Sequence, residues 1–235
     1  MANEERHVFI TGGTGYLGRP LIAELLKRGH RVHALVRPGS EVRLPAGCHV
    51  VLGNALDATS YEDQIQPADT FVQLVGVPHP SPRKVAQFRS IDFASASGAI
   101  EAAANSGIRH FIYLSVAHPA PVMKAYIEVR TECEELIRNS GMNATILRPW
   151  YILGPGHRWP YALLPMYWLA ERIPSTREGA RRLGLVTLEQ MQAALRSAVE
   201  NPCQGVRIVE VPEIRAFRAD WAASRHVRLA PAPPQ

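Results

Sequence analysis

"VFITGGTGYLGRPLIAELLKRG", residues 8–29, joins a short apolar run to a glycine-rich turn and then to an amphipathic segment. Val8-Phe9-Ile10 has no polar interruption and stops at a Gly turn, the pattern of a strand buried in a parallel sheet. The segment after it carries Leu17, Leu21 and Leu25 on one helical face, with Ile22 and Leu26 beside them. That spacing predicts a helix from about Gly15, stopped by Gly29. Pro20 falls in its first turns, where a missing N–H costs least. Gly12, Gly15 and Gly18 recur at three-residue intervals. Gly12 permits the tight turn out of the strand. Gly15 lets the backbone approach a pyrophosphate at the helix N-terminus, where unbonded N–H groups and the dipole favour anions. Gly18 lets the helix lie close on the sheet. A glycine pattern alone is common; between a strand and a helix it marks a dinucleotide site. Thr14, Tyr16 and Leu17 are the remaining cofactor-facing positions of the turn.

Working outward, further strands are expected over Arg31–Val36, Val50–Leu52, Phe71–Val77, Phe111–Leu114 and Ala144–Leu147. Helices are expected over Ile91–Asn105 and Met123–Asn139. This alternation predicts an α/β chain with a Rossmann-like, doubly wound parallel sheet. Residues 1–150 form the NAD(P)-binding core and residues 151–228 a small substrate-side and C-terminal region of the same domain. The Pro/Ala-rich residues 229–235 read as a disordered tail. Within the C-terminal region, Thr187-Leu-Glu-Gln190 has capping-box form and starts a helix to about Glu200. Val206–Val211 reads as a late strand, and Ile214, Phe217 and Trp221 lie at helical spacing.

The chain has 235 residues, 46% hydrophobic and 20% charged, which suits one domain with a sizeable core. The formal net charge of +5 is spread over the sequence, with its densest cluster at Arg177, Arg181 and Arg182. No basic stripe with interleaved aromatics points to nucleic acid; a mildly positive field favours a phosphorylated ligand. Cys48, Cys133 and Cys203 are odd in number, far apart and without metal spacing. They read as reduced thiols of a cytoplasmic protein with no metal site. The opening "MANEERHVFI" passes into a strand without a leader pattern. The most apolar run, Tyr161–Ala170, is too short to span a bilayer and contains Pro165. No transmembrane segment is expected, and interfacial membrane contact is the weakest of the readings of that run. The expected partner is a small-molecule substrate; the oligomeric state has no signature.

The second strand bears on the cofactor. A site for NAD usually carries an acidic residue about 20 residues beyond the turn, bonded to the ribose 2′-hydroxyl. Here the strand ends Leu35-Val36-Arg37-Pro38, without an acid. A guanidinium at that place suits a 2′-phosphate, which favours NADP over NAD. The alternatives are that Arg37 is a solvated strand-end charge, or that it stacks on adenine.

"TGGTGYLG", "ALVRPGS", "VLGNALD", "FVQLVGV", "FIYLSV" and "NATILRPWYILGPG" follow one another between Val8 and Gly156. In that order they resemble the short-chain dehydrogenase/reductase superfamily, and most of all its atypical NAD(P)H-binding, epimerase/dehydratase-like branch. The resemblance implies a Rossmann-like fold with the dinucleotide across the C-terminal edge of the strands. It implies that Asn54, standing where the family carries an Asp, contacts adenine together with Ala55, with Asp57 as the neighbouring family acid. Gly76, ending the fourth strand, would lie against the ribose. Pro149 and Trp150 would lie on the nicotinamide side.

The superfamily's active groups are a Tyr, a Lys one helical turn later, and a Ser or Thr from the fifth strand. Positions i and i+4 share a helix face. A neighbouring cation stabilises tyrosinate and lowers the Tyr pKa, so that the phenol can exchange a proton with a substrate oxygen. The fitting pair in this chain is Tyr126 and Arg130, a Y-x-x-x-R departure from the family's lysine. Arg130 keeps the charge and would grip the ribose, but it does not give up a proton. Ser115 ends the fifth strand, whereas Val116 and Ala117 occupy the places where the family's hydroxyl usually falls, with His118 as a nearby donor. The structural alternatives are a half-buried helix tyrosine and an Arg130–Glu134 pair at i+4.

Beyond Pro149, His157, Arg158, Trp159, Tyr161, Tyr167 and Trp168 crowd together. They would line a pocket for a flat hydrophobic substrate or, more commonly, form a core helix or subunit interface. Three functional readings follow. The first is an NADP(H)-dependent oxidoreductase moving hydride to or from a small carbonyl or quinone. The second is a non-catalytic NAD(P)H sensor or scaffold, favoured by the altered lysine and the missing hydroxyl. The third, an epimerase or dehydratase acting on a nucleotide sugar, is weakened by the short C-terminal portion.

Overall fold

The computed structural model describes residues 4–155 and 164–217. Its strands are β1 (His7–Thr11), β2 (Arg31–Val36), β3 (His49–Leu52), β4 (Thr70–Gln73), β5 (His110–Leu114), β6 (Ala144–Arg148), β7 (Tyr151–Leu153), β8 (Leu185–Thr187) and β9 (Val206–Glu210). Seven of them form one sheet in the order β3-β2-β1-β4-β5-β6-β9, parallel throughout. β7 and β8 pair separately, also in parallel. The order reverses between β1 and β4, so both following crossovers leave a crevice there, at the C-terminal strand ends. This is the Rossmann-like doubly wound sheet expected from the alternation. The seventh strand comes from beyond residue 200, so the sheet draws on both ends of the chain.

The helices are α1 (Gly18–Lys27), α2 (Val85–Gln87), α3 (Ala94–Asn105), α4 (Lys124–Asn139), α5 (Leu164–Ala170), α6 (Pro174–Arg182), α7 (Leu188–Glu200) and α8 (Val211–Ala216). A π-helical stretch, Phe88–Phe93, joins α2 to α3. Successive strand residues point to opposite faces. In β1, Val8 and Ile10 pack with Leu21, Ile22 and Leu25 of α1 and with Met191, Leu195 and Val199 of α7. Phe9 points the other way, toward α3 and α4. There Phe9, Phe71 and Phe111 are register partners across three strands. Their rings lie 5.1 Å and 5.3 Å apart, and burying each contributes about 1.5–3 kcal/mol.

Several boundaries differ from expectation for local reasons. α1 begins at Gly18 rather than near Gly15, because residues 12–17 are spent on the turn. It ends in a Schellman arrangement: Gly29 (φ 86°) donates to Leu26 O at 3.0 Å and His30 to Leu25 O at 3.0 Å. β4 stops at Gln73 instead of reaching Val77. The apolar run continues, but its backbone leaves the sheet: the Val77 amide bonds the Asp92 carboxylate at 3.1 Å. Thr187 and Gln190 form both bonds of the capping box at the start of α7. Ile214 is buried in α8. Trp221, the 229–235 tail and the aromatics from His157 to Tyr161 lie outside the described residues. Among the described residues, no helix is long and apolar enough to cross a membrane.

Candidate dinucleotide site and the Tyr126–Arg130 pair

β1 delivers the chain to the C-terminal edge, and Gly12 turns it with φ 74°. The Gly15 amide closes that turn on Gly12 O at 3.0 Å. A Cβ on Gly18 would run into Gly12 O and the Gly13 backbone. The third glycine therefore lets the helix start sit on its own turn, as well as near the sheet. A Cβ on Gly15 would meet Gly12 O at 3.1 Å and otherwise open space; that open side is where an anion can reach the free amides of the first helical turn. The cradle fits a pyrophosphate. Tyr16 reaches away from it, its hydroxyl pressed against Gly154 just beyond β7. The Leu17 side chain is core, and its carbonyl accepts from Gln192 of α7 at 3.0 Å.

Arg37 stands exposed just past β2. Arg43, in the 3-10 turn after it, donates to Thr14 O at 3.4 Å, so two guanidinium groups flank the same end of the crevice. Asn54 is exposed; its Oδ1 accepts from the Leu56 amide at 3.1 Å. Ala55 packs on the second core cluster. Pro149 O accepts from the Ala117 amide at 2.9 Å, and Trp150 packs against the first cluster.

The Tyr126–Arg130 pair sits on the first turns of α4. The Arg130 guanidinium is 5.1 Å from the Tyr126 ring centroid, while Phe88 covers the ring from the π-helical stretch at 4.9 Å. Arg130 is buried, and its hydrogen bonds go inward. Nη1 donates to Tyr113 Oη at 3.1 Å and to Leu114 O at 2.8 Å, and Nη2 to the Asp92 carboxylate. A Cβ on Gly76 would strike that guanidinium and approach Asp92 Oδ1 to 3.0 Å. Gly76 is thus needed for the ion pair to lie flat beneath the crevice. The alternative i+4 partner, Glu134, does not pair with Arg130; it bonds Arg138 and Arg148.

Burial opposes the charge on Arg130, but Tyr113, Tyr126 and Asp92 outweigh it and hold the guanidinium well above its ordinary pKa. Burial pushes the Asp92 carboxyl up, against the pull of Arg130 and the Val77 amide. For Tyr126, burial also wins: the phenol lies above its ordinary pKa although Arg130 draws it down. Helical spacing sets the cation beside the phenol, but the cost of burying tyrosinate depends on the packing around it. Asp92 and Tyr113 were not anticipated as site residues. An acid inside the Ala/Ser-rich run "DFASASGAIEAAA" was the available signal, since a buried carboxylate demands a partner.

A sequence model of the NAD(P)H-binding family matches residues 12–159. The chain belongs to that family. It is 28% identical over 226 residues to the ceramide reductase of Caulobacter vibrioides, covering 94% of this chain and 69% of the relative. It is also 28% identical over 256 residues to a 3-diazoavenalumate denitrifying reductase of Streptomyces, covering 97% and 82%. Among solved structures, the Bordetella bronchiseptica enzyme WbmH with NAD+ superposes with a TM-score of 0.66 at 20% identity, over 86% of this chain and 75% of that one. UDP-glucose 4-epimerase of Thermus thermophilus with NAD gives 0.63 at 17% identity, over 89% and 81%. These two likenesses establish the fold alone, a Rossmann-like doubly wound sheet.

In this NAD(P)H-binding chain Ser115 turns away from Arg130. Its Oγ donates to Glu134 Oε1 at 2.6 Å. Glu134 also accepts from Arg148 Nε and Arg138 Nη2, each at 2.9 Å, and His118 Nε2 lies 3.5 Å from it. Burial works against this carboxylate, but the bonds from His118, Arg148 and Ser115 bring it down to about 2. At the opposite strand ends His110 is buried, 3.0 Å from Thr145 Oγ1; burial first, then Arg6, lowers it from 6.5 to about 4. Both groups link stability to pH. His110 binds its proton more weakly folded than unfolded. Its contribution is complete above pH 6.5 and shrinks toward pH 4, by about 3 kcal/mol. Glu134 adds a second loss of similar order as pH falls from 4.5 to 2. Urea unfolding followed down this range is expected to show two successive declines in stability. A flat profile between pH 6.5 and 4 would contradict the His110 argument.

Proposed function

We propose that the chain is an NADP(H)-dependent reductase acting on a small carbonyl or quinone-like substrate in the cytoplasm. The observation that carries this reading is Tyr126, half-buried over a guanidinium at the C-terminal strand edge beside Gly76. NADPH supplies the hydride when bound in the Gly12–Gly18 cradle. A phenol held above its ordinary pKa keeps its proton through neutral pH. Tyr126 then donates that proton to the oxygen of the substrate carbonyl as the carbon is reduced, and Arg130 steadies the tyrosinate that forms. Solvent returns the proton. The reductase names of the relatives support the direction, and three free cysteines support a reducing compartment.

Arg37 supports NADP over NAD. Arg37→Ala is expected to weaken NADPH about tenfold to hundredfold, the worth of a charged hydrogen bond, while leaving NADH nearly unchanged; fluorescence titration of both cofactors measures it. Tighter NADH than NADPH binding by the native chain would reverse the assignment.

One observation favours a second reading, a binding-only redox sensor. Nη1 and Nη2 of Arg130 are bonded to Asp92, Tyr113 and Leu114 O, and its Nε, which has no partner among the described residues, is buried, where a ribose clamp would need a donor open to the crevice. Following NADPH absorbance over a panel of quinones, enones and aldehydes separates the two. Turnover supports the reductase, and micromolar NADPH binding with no turnover on any compound supports the sensor.

A further inference from the structure

We propose that the corner between α5 and α6 is a docking surface for an anionic lipid bilayer. This goes beyond the reductase reading and does not depend on it. Trp168, Leu169 and Ile173 are 60%, 55% and 43% exposed, and they alone among the exposed apolar residues of the described sequence include an aromatic ring. A soluble surface rarely leaves Trp, Leu and Ile together in water without an occupant. The charge around them selects the occupant. Residues 164–182 carry four arginines, Arg172, Arg177, Arg181 and Arg182, against Glu171 and Glu178, with no lysine or aspartate. Glu171 is already paired with Arg215 at 2.8 Å.

The geometry joins the two features. The Arg172 guanidinium lies 3.3 Å from the centre of the Trp168 ring, and its Nη1 donates to Trp168 O at 3.0 Å. An indole capped by a cation suits the headgroup boundary, where the ring enters the acyl region and the charge stays among phosphates. Immediately after Ile173, a surface cleft of about 490 Å3 is lined by Arg177, Arg181 and Arg182, with Glu178, Glu210 and two prolines. Glu210 is held by Arg148 at 2.8 Å and Glu178 by Arg182 at 3.7 Å, while Arg177 donates to the Glu171 and Arg172 carbonyls, so the lining keeps an excess of guanidinium charge toward a headgroup. The hairpin is inserted between β7 and β8, and Arg182 Nε ties it to Pro119 O at 3.3 Å. Docking would turn the substrate side of the crevice toward the bilayer without insertion across it.

The test is co-sedimentation of the full chain with vesicles of phosphatidylcholine alone and of phosphatidylcholine with phosphatidylglycerol. Retention on the anionic vesicles is expected to weaken as ionic strength rises to about 0.15 M. Arg177→Glu with Arg181→Glu is expected to reduce it about tenfold or more, and Trp168→Ser with Leu169→Ser to a similar degree, with NADPH binding retained as the mark of a folded chain. Should either pair fail to fold, quenching of tryptophan fluorescence by brominated lipid, lost in Trp168→Phe, carries the same decision. The proposal is overturned by absence of retention on anionic vesicles, by equal retention on neutral ones, or by fluorescence that lipid does not quench. A dimer that Trp168→Ser dissolves would also overturn it, by assigning the corner to a second copy of the chain.

Discussion

Asp92→Ala is expected to lower the stability of the chain by about 3–5 kcal/mol, the usual cost of stranding a buried charge. For a chain of this size that is about 6–20 °C in Tm. Asp92 is wholly buried and the Arg130 side chain is 5% exposed, so water cannot replace the lost carboxylate. The loss also frees the Val77 amide, which holds the chain as it leaves β4. Asp92→Asn keeps an oxygen for that amide and should cost less. Arg130→Met added to Asp92→Ala should restore part of the loss, because the stranded charge goes with it. Thermal unfolding of the four proteins decides the matter. A cost for Asp92→Ala below about 1 kcal/mol would show that Tyr113 and Leu114 O alone satisfy Arg130.

Tyr126→Phe is expected to reduce kcat for the accepted substrate about a hundredfold to ten-thousandfold, the range for loss of a positioned general acid. NADPH binding should remain unchanged, since the ring still covers Arg130. The pH dependence follows from the raised phenol pKa. Tyr126 is protonated and able to donate at neutral pH, so reduction should proceed evenly there and decline only on the alkaline side as the proton is lost. Stopped-flow measurement of NADPH oxidation by both proteins across pH tests this. Unchanged kcat in Tyr126→Phe would remove the phenol from the chemistry and leave membership of the NAD(P)H-binding family as what the chain is known by.

The glycine turn was legible because its constraint is local. Three glycines, a strand before them and an amphipathic helix after them are all within 22 residues. A Cβ on Gly15 or Gly18 would conflict with the turn's own backbone, and of the three only Gly12 meets a distant segment, the Leu74–Val75 backbone just past β4. Tyr126 and Arg130 were legible as a pair because helical spacing sets their common face. What they touch was not. Asp92 is 38 residues from Arg130 and Tyr113 is 17 away, and no periodicity links those positions. Burial was the second quantity out of reach: the charge next to Tyr126 can be read from spacing, but the desolvation that outweighs it depends on Phe88 and the packing of α4. Strand β4 was overdrawn because an apolar run does not say where its backbone stops pairing.

The origin of the outermost strand has a consequence for the chain during synthesis. β9 lies against β6 and pairs with it from Ala144–Val206 to Arg148–Glu210. Until residues 206–210 emerge, the Ala144–Arg148 edge stands open, with its amides and carbonyls available to any extended segment nearby. At the opposite border β3 has only four residues, with His49 at its end, too short to recruit a neighbour readily. β9 thus acts as a closing stave: a nascent or proteolytically shortened chain lacking it is expected to keep the residues of the dinucleotide cradle but to offer a sticky flank. Self-association should therefore mark the incomplete chain before any loss of nucleotide binding does.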